Sequence, residues 1–258
     1  MKRSVNRILT THAGSLSRPN DLIDLYRENA PAGTLEPRLK SAVAEIVRQQ
    51  ADVRIDVVND GEFGKATRAA VDYGAWWSYI YERMEGFEVR EGRAMGQGFG
   101  PMHSKDRADF REFYDTGMAM AGGGSSGSQQ ASATARLAQL TCTRPVQYTG
   151  EALIKRDIEN FKAALSGVQV EEAFMPAVSP ATLQILPNAH YQSQEDYTWA
   201  LAEALHEEYK AIVDAGFILQ IDDPALVDLY DWWFSGRDDL AGYRQWAEFQ
   251  VQAALHQK

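Results

Sequence analysis

Apolar positions along the chain follow two spacings. Short β-type runs bounded by Gly, Pro or Asp fall at 7–11, 55–59, 145–149, 173–178 and 218–221. Longer stretches between them repeat every three to four residues. Leu39, Val43, Ile46 and Val47 form one stripe, and Ile154, Ile158, Phe161 and Leu165 a second. Leu201, Leu205, Tyr209 and Ile212 form a third, and Leu240, Tyr243, Ala247, Val251 and Ala254 a fourth. This is the period of a helix with one buried face, so all four stripes are read as core packing. Ser193 with Asp196 three residues on predicts a capping box that opens the third helix. Gly216 closes that helix and Gly167 closes the second. Strands alternating with helices predict a parallel sheet with helical crossovers.

Two segments break the rhythm. Residues 76–93 turn from aromatic to charged, which predicts a helix followed by a hairpin strand at 86–90. Residues 118–135 are rich in Gly and Ser and lack periodicity, so a mobile loop is expected there. The Gly96-x-Gly98-x-Gly100 run is not a dinucleotide fingerprint, because the spacing is wrong and no strand leads into it. No internal repeat and no linker stands out, so 1–258 is read as a single domain.

Composition narrows the functional classes. The 258 residues suit one α/β barrel of about 250 residues as well as two smaller domains. A formal net charge of −10 repels phosphate backbones, which argues against nucleic acid as a general partner. Cys142 is the only cysteine, so neither an intrachain disulfide nor a Cys-rich zinc site can form within the chain. No window holds about 18 uninterrupted apolar residues, and no apolar signal region follows the basic N-terminus. The expectation is a cytoplasmic protein without a membrane partner.

The chemistry collects where strands end. The first run leads into Thr10-Thr11-His12-Ala13-Gly14-Ser15, and the second into Asn59-Asp60-Gly61-Glu62-Phe63-Gly64-Lys65. The fourth leads into Ser179-Pro180-Ala181-Thr182, and the fifth ends in Asp222-Asp223-Pro224. Polar groups at the C-terminal ends of parallel strands face the ligand side of a barrel or open sheet. Each group also has a plainer role. His12 caps a turn, Asp60 hydrogen-bonds the turn that Gly61 permits, and Asp223 rather than Asp222 starts the next helix. His103, His190, His206 and His256 are bystanders, and Trp232 and Trp233 belong to core or interface. Taken together, carboxylates at Glu62 and Asp222, the imidazole of His12 and N–H donors at Gly14 and Ser15 suit a zwitterion such as an amino acid.

Three motifs are recognisable in order. They are Ile8-Leu9-Thr10-Thr11-His12-Ala13-Gly14-Ser15-Leu16-Ser17-Arg18-Pro19, Asp56-Val57-Val58-Asn59-Asp60-Gly61-Glu62, and Gln220-Ile221-Asp222-Asp223-Pro224-Ala225-Leu226. They resemble the cobalamin-independent methionine synthase family, and within it the stand-alone proteins similar to the C-terminal catalytic domain. The resemblance implies an α/β fold, a TIM-type (β/α)8 barrel related to uroporphyrinogen decarboxylase. About the first five β/α units lie in this chain, which makes the barrel C-terminally incomplete. It implies substrate binding by His12, Ala13, Gly14, Ser15, Glu62 and Asp222, with Glu62 and Asp222 on the ligand's amino group. His12 stands where the methionine synthases proper have Thr, which points to a related substrate.

The implied reaction passes a methyl group from 5-methyltetrahydrofolate, or a similar donor, to the thiol of homocysteine or a related thiol. Zinc serves the family, but its His-x-Cys pair has no counterpart here, and the other ligands would lie beyond Lys258. The alternative is a catalytically incomplete remnant that binds an amino acid or thiol ligand. A third reading keeps catalysis without zinc, with Asp60, Glu62 and Asp222 as acid and base groups. An open sheet of five strands would expose an edge, which invites a homo-oligomer or a completing segment.

Overall fold

A computed structural model describes residues 1–65, 82–90, 108–112, 140–230, 234 and 239–256. The architecture is α/β, with strands and helices alternating as in a partial (β/α) barrel. The strands are β1 (Val57–Val58), β2 (Met84–Val89), β3 (Leu140–Tyr148), β4 (Glu172–Val178) and β5 (Ile218–Asp222). The helices are α1 (Asn20–Arg27), α2 (Ala32–Asp52), α3 (Glu151–Leu165), α4 (Pro180–Leu183), α5 (Gln194–Asp214), α6 (Ala225–Leu229) and α7 (Leu240–Ala254). By contact, the chain clusters into two compact units interleaved along the sequence. The first is Met1–Arg83, Thr149–Ala177 and Glu207–Ile221, and the second is Met84–Tyr148, Val178–His206 and Asp222–Lys258.

The first unit holds a three-stranded sheet in the order β1-β4-β5. β1 pairs with β4 in parallel, Val57 opposite Glu172 and Val58 opposite Ala173. α2 packs against α3. The predicted stripes supply the core, with Leu39, Val43 and Val47 buried on α2 and Ile154, Ile158 and Phe161 buried on α3. Phe161 stacks on Phe217 with ring centroids 4.7 Å apart. The expected first strand at 7–11 is not a strand. Ile8 is 82% exposed, so an alternating pattern there has no face to bury. Polar bonds hold the segment instead. Thr10 donates its N–H to Asp56 Oδ2 at 2.7 Å, and its carbonyl accepts from the N–H groups of Asp56 and Val57. Arg7 pairs with the same carboxylate.

The second unit holds an antiparallel pair, β2 and β3, running from Met84 opposite Tyr148 to Val89 opposite Leu140. The hairpin strand expected at 86–90 is therefore present as β2. The strand expected at 145–149 is the end of a longer one, and it pairs antiparallel rather than joining the parallel sheet. Pro145 explains why the longer strand was hidden. It lacks an N–H for the ladder, but the register shifts opposite it, between Glu85 and Phe87, so none is required there. Gly86 makes that shift feasible with φ of 108°, and a Cβ on it would meet the Pro145 carbonyl at 2.8 Å. Cys142 consequently lies inside β3 rather than ahead of it.

α5 opens on the predicted box, with Ser193 Oγ accepting from the Asp196 N–H at 2.9 Å. Its Leu201 and Leu205 are buried in the second unit, and its Tyr209 and Ile212 in the first. α7 spans Leu240–Ala254, the range of the fourth stripe, and packs on α4. Ala181 and Ala225 form a small buried cluster with Ile185 and Trp246 against it. Among the described residues, no helix is long and apolar enough to cross a membrane. The 118–135 loop, the Gly96–Gly100 run, His103, Trp232 and Trp233 lie outside the described residues.

Candidate functional site

The turn after β1, Asn59 to Lys65, is the most heavily braced stretch of backbone in the first unit. Two short side chains start it. Asn59 Oδ1 accepts from the Gly61 N–H at 2.8 Å, and Asp60 Oδ1 from the Glu62 N–H at 2.9 Å. These local bonds bend the chain into the left-handed region, with φ of 71° at Gly61 and 60° at Glu62. Glycine adopts that conformation freely, but Glu62 is strained in it.

More distant side chains then hold the carbonyls. Arg18 Nη2 donates to the Glu62 carbonyl at 2.7 Å, Tyr26 Oη to that of Phe63 at 2.8 Å, and Arg156 Nη2 to that of Gly64 at 2.9 Å. Gln50 clamps the entry. Its amide donates to the Asn59 carbonyl at 2.8 Å and accepts from the Asn59 N–H at 3.0 Å.

Gln50 also brings the first motif to this turn. Its Oε1 lies 3.1 Å from His12 Nε2. An amide oxygen only accepts, so His12 carries its proton on Nε2. Nδ1 is left enclosed without a hydrogen-bond partner. The Leu16 N–H donates to the Gly61 carbonyl at 3.2 Å, which seats the segment of Ala13, Gly14 and Ser15 beside the turn. Gly14 is left-handed at φ 81°, and Ala13 and Ser15 are exposed.

The turn presents charge to a small cavity of about 10 Å³, room for about one water-sized group. Asp60, Glu62, Lys65, Arg83, Asp157 and Glu208 line it. Arg83 is buried and ion-paired to Asp157 at 2.5 Å and to Glu208 at 3.1 Å. Lys65 Nζ donates to Glu62 Oε2 at 2.6 Å and to the Pro176 carbonyl at 3.3 Å. The other carboxylate oxygen, Glu62 Oε1, is buried and has no hydrogen-bond partner. Burial pushes the Asp60 carboxyl up to about 6, and the negative charge of Asp157 adds to the rise.

Within the first unit, Gln50 and the Leu16 N–H tie the His12–Ser15 segment to the backbone of the turn, and neither His12 nor residues 13–15 line the cavity that Glu62 faces. Asp222 belongs to the second unit, where its carbonyl accepts from the Ser179 N–H at 3.1 Å. Burial raises the carboxyl of its neighbour Asp223. The next helix has Pro224 at its N-cap and no side-chain cap hydrogen bond, so Asp223 does not hold the helix-starting position expected of it. His190, His206 and His256 also lie in the second unit, where the rings of His206 and His256 pack 4.6 Å apart. Sequence reasoning missed Gln50, Arg83, Asp157 and Glu208. For Gln50, Asp157 and Glu208 the available signal was a polar residue within an apolar stripe; Arg83 lies on none of the stripes. Asp157 sits beside Ile158, Glu208 beside Tyr209, and Gln50 three residues past Val47.

No family model matches the chain, and no curated protein matches it. Solved structures do. One is a B12-independent methionine synthase from Shewanella sp. W3-18-1, solved in complex with selenomethionine. It is 20% identical with a TM-score of 0.58, over 95% of this chain and 57% of that one. The fold is that of cobalamin-independent methionine synthases. A second structure, from Listeria monocytogenes and assigned as a vitamin-B12-independent methionine synthase, is 19% identical with a TM-score of 0.58. That match covers 98% of this chain and 63% of the other. The chain therefore spans about three-fifths of the length of the synthases it matches.

The zinc of the methionine synthase family does not fit the donors among the described residues. Cys142 is buried, and burial pushes its thiol up to about 11, so it stays protonated at neutral pH. His12 is held by Gln50, and Glu62 by Lys65. Among the described residues, no group of three or more His, Cys, Asp or Glu is placed to hold a metal ion.

Proposed function

We propose that this chain is a methionine-synthase-like domain that binds a small α-amino acid of the methionine or homocysteine type, and that it does not complete methyl transfer by itself. The observation that carries the reading is Glu62, a buried carboxylate on a strained turn, with one oxygen lacking a partner beside a cavity. An ammonium satisfies such an oxygen with a charge-assisted hydrogen bond. The ligand's carboxylate then needs a donor beside the turn, and His12, Ala13, Gly14 and Ser15 enter the site on family resemblance alone. Asp222 enters as a second acceptor for the amino group on family resemblance alone. The selenomethionine complex of the Shewanella protein supports a ligand of this class.

A methyl-transfer reading would require a homocysteine-type thiol to be presented as thiolate. A free thiol has a pKa of about 8.5 and stays mostly protonated at neutral pH. The described donors assemble no metal to lower it. Turnover of 5-methyltetrahydrofolate and homocysteine is therefore expected to stay at the level of a protein-free blank, with or without added zinc. Stoichiometric turnover in that assay would restore the transferase reading.

Binding is tested by calorimetry with L-methionine. Neutralising a buried partner of a bound charge costs about 2–5 kcal/mol, which is more than tenfold in affinity. Glu62→Gln is expected to weaken L-methionine by at least that factor, and Asp222→Asn to do the same. Unchanged affinity in folded Glu62→Gln would reject Glu62 as the ammonium acceptor.

A further inference from the structure

The Glu62–Lys65 ion pair is asymmetric in depth. The Glu62 side chain is 1% exposed and that of Lys65 12%, and both line the cavity. Lys65 uses one Glu62 oxygen and leaves the other without a partner. It also has a second anchor within reach, the Pro176 carbonyl at 3.3 Å. The cavity holds about one water-sized group, so a ligand ammonium and the Lys65 ammonium would crowd each other on one carboxylate. Two like charges at that distance repel, and a low local dielectric strengthens the repulsion.

We propose that Lys65 is a specificity-determining residue: the Glu62–Lys65 pair opens by exchanging partners, its carboxylate taking the ligand's ammonium and its lysine the ligand's carboxylate. This rests on the reading of Glu62 as the ammonium acceptor and names the group that selects among amines. A zwitterion satisfies both halves of the opened pair and leaves the charge of the cluster unchanged. A simple amine displaces Lys65 from Glu62 and gives it nothing in return. A simple carboxylate meets a lysine already neutralised by Glu62. The remaining cavity charges, Asp60, Asp157, Glu208 and Arg83, stay as they are in all three cases, with Arg83 already paired to Asp157 and Glu208. α-Amino acids are thereby favoured over amines of the same side chain.

The test compares L-methionine with 3-(methylthio)propylamine, which has the same side chain and ammonium but no carboxylate. Affinities are read by calorimetry on the full chain and on Lys65→Met, Lys65→Gln and Lys65→Arg, with folding checked by circular dichroism. The parent is expected to prefer L-methionine at least tenfold. Lys65→Met and Lys65→Gln should reduce that preference to about threefold or less, partly by binding the amine more tightly. Lys65→Gln keeps a donor for the Pro176 carbonyl and serves if the methionine variant does not fold. Lys65→Arg should retain the preference, because it keeps the positive charge. A folded, neutral variant that still prefers L-methionine tenfold overturns the proposal and assigns the carboxylate to the main-chain donors at 13–15. If the parent binds L-methionine and Glu62→Gln abolishes it while the preference survives loss of Lys65, the partner exchange alone fails. If the folded parent does not bind L-methionine, the reading of Glu62 fails and the partner exchange falls with it.

Discussion

Asp60→Asn tests the electrostatics of the turn most directly. The Asp60 carboxyl rises from 3.8 to about 6, chiefly through burial. The folded state therefore holds its proton more tightly than the unfolded chain does. Between about pH 4 and pH 6 the folded protein binds more protons at this site, so its stability falls as pH rises through that window and is flat above it. A rise from 3.8 to about 6, at about 1.4 kcal/mol per pH unit, corresponds to about 3 kcal/mol. Stability from this group is fully present only well below the unfolded pKa of 3.8 and absent at pH 7.

Asparagine keeps the oxygen that accepts from the Glu62 N–H and cannot ionise. Relative to acid pH well below 3.8, the variant should exceed the parent by about 1 kcal/mol at pH 4.5 and about 3 kcal/mol at pH 7, so the gap widens by about 2 kcal/mol across the assay. Urea denaturation followed by circular dichroism, at half-unit steps from pH 4.5 to 7.5, reads the difference between the two curves. Groups common to both proteins cancel in that difference. Curves that stay parallel within about 0.5 kcal/mol across the window would refute the burial of an ionised Asp60.

Two other substitutions probe the same turn. Gln50→Leu removes both partners of the Asn59 backbone groups, and Asn59 is fully buried, so two orphaned groups at about 1–3 kcal/mol each predict a loss of about 3–5 kcal/mol in urea denaturation. A loss under about 1 kcal/mol would show that the turn is held without Gln50. Gly64→Ala places a Cβ 2.2 Å from Asp157 Oδ1, so Asp157 must move off Arg83 or Arg156. Overpacking of this kind costs about 1–3 kcal/mol, and a melting temperature equal to the parent's would contradict the close approach.

The helices were legible because their apolar faces repeat at the helical period over two to five turns, and local capping chemistry such as Ser193 with Asp196 marks an end without reference to the fold. The fold itself was legible through three motifs in order, each on a chain segment that turns after a strand or strand-like run. Sheet partners were harder, because a strand's direction and register depend on residues far away in sequence. Leu140 to Tyr148 reads as a strand broken by Pro145 until the shift at Gly86 opposite it is known. Residues 7–11 read as a strand until the Asp56 carboxylate is seen to take the Thr10 N–H.

In the candidate site, Glu62 and His12 were legible because turn residues advertise themselves by composition. Gln50, Asp157 and Glu208 were not. A polar residue on an apolar stripe is an inconsistency whose partner can sit anywhere, and Arg83, the partner of two of them, lies 74 and 125 residues away.

That inconsistency carries meaning of its own. A left-handed residue other than glycine costs about 1–3 kcal/mol, and Glu62 is one. A buried oxygen without a partner costs a similar amount, and Glu62 Oε1 is one. Asp60 beside it ionises against its surroundings near neutral pH. Buried ion pairs such as those of Arg83 rarely stabilise a fold better than apolar side chains of the same volume would. Four unfavourable choices therefore fall on one turn and the cluster that faces it. Of these, the one that the proposed ligand would answer is the Glu62 Oε1 orphan, to which an ammonium would donate. That oxygen belongs to the residue to which the family resemblance assigns the amino group.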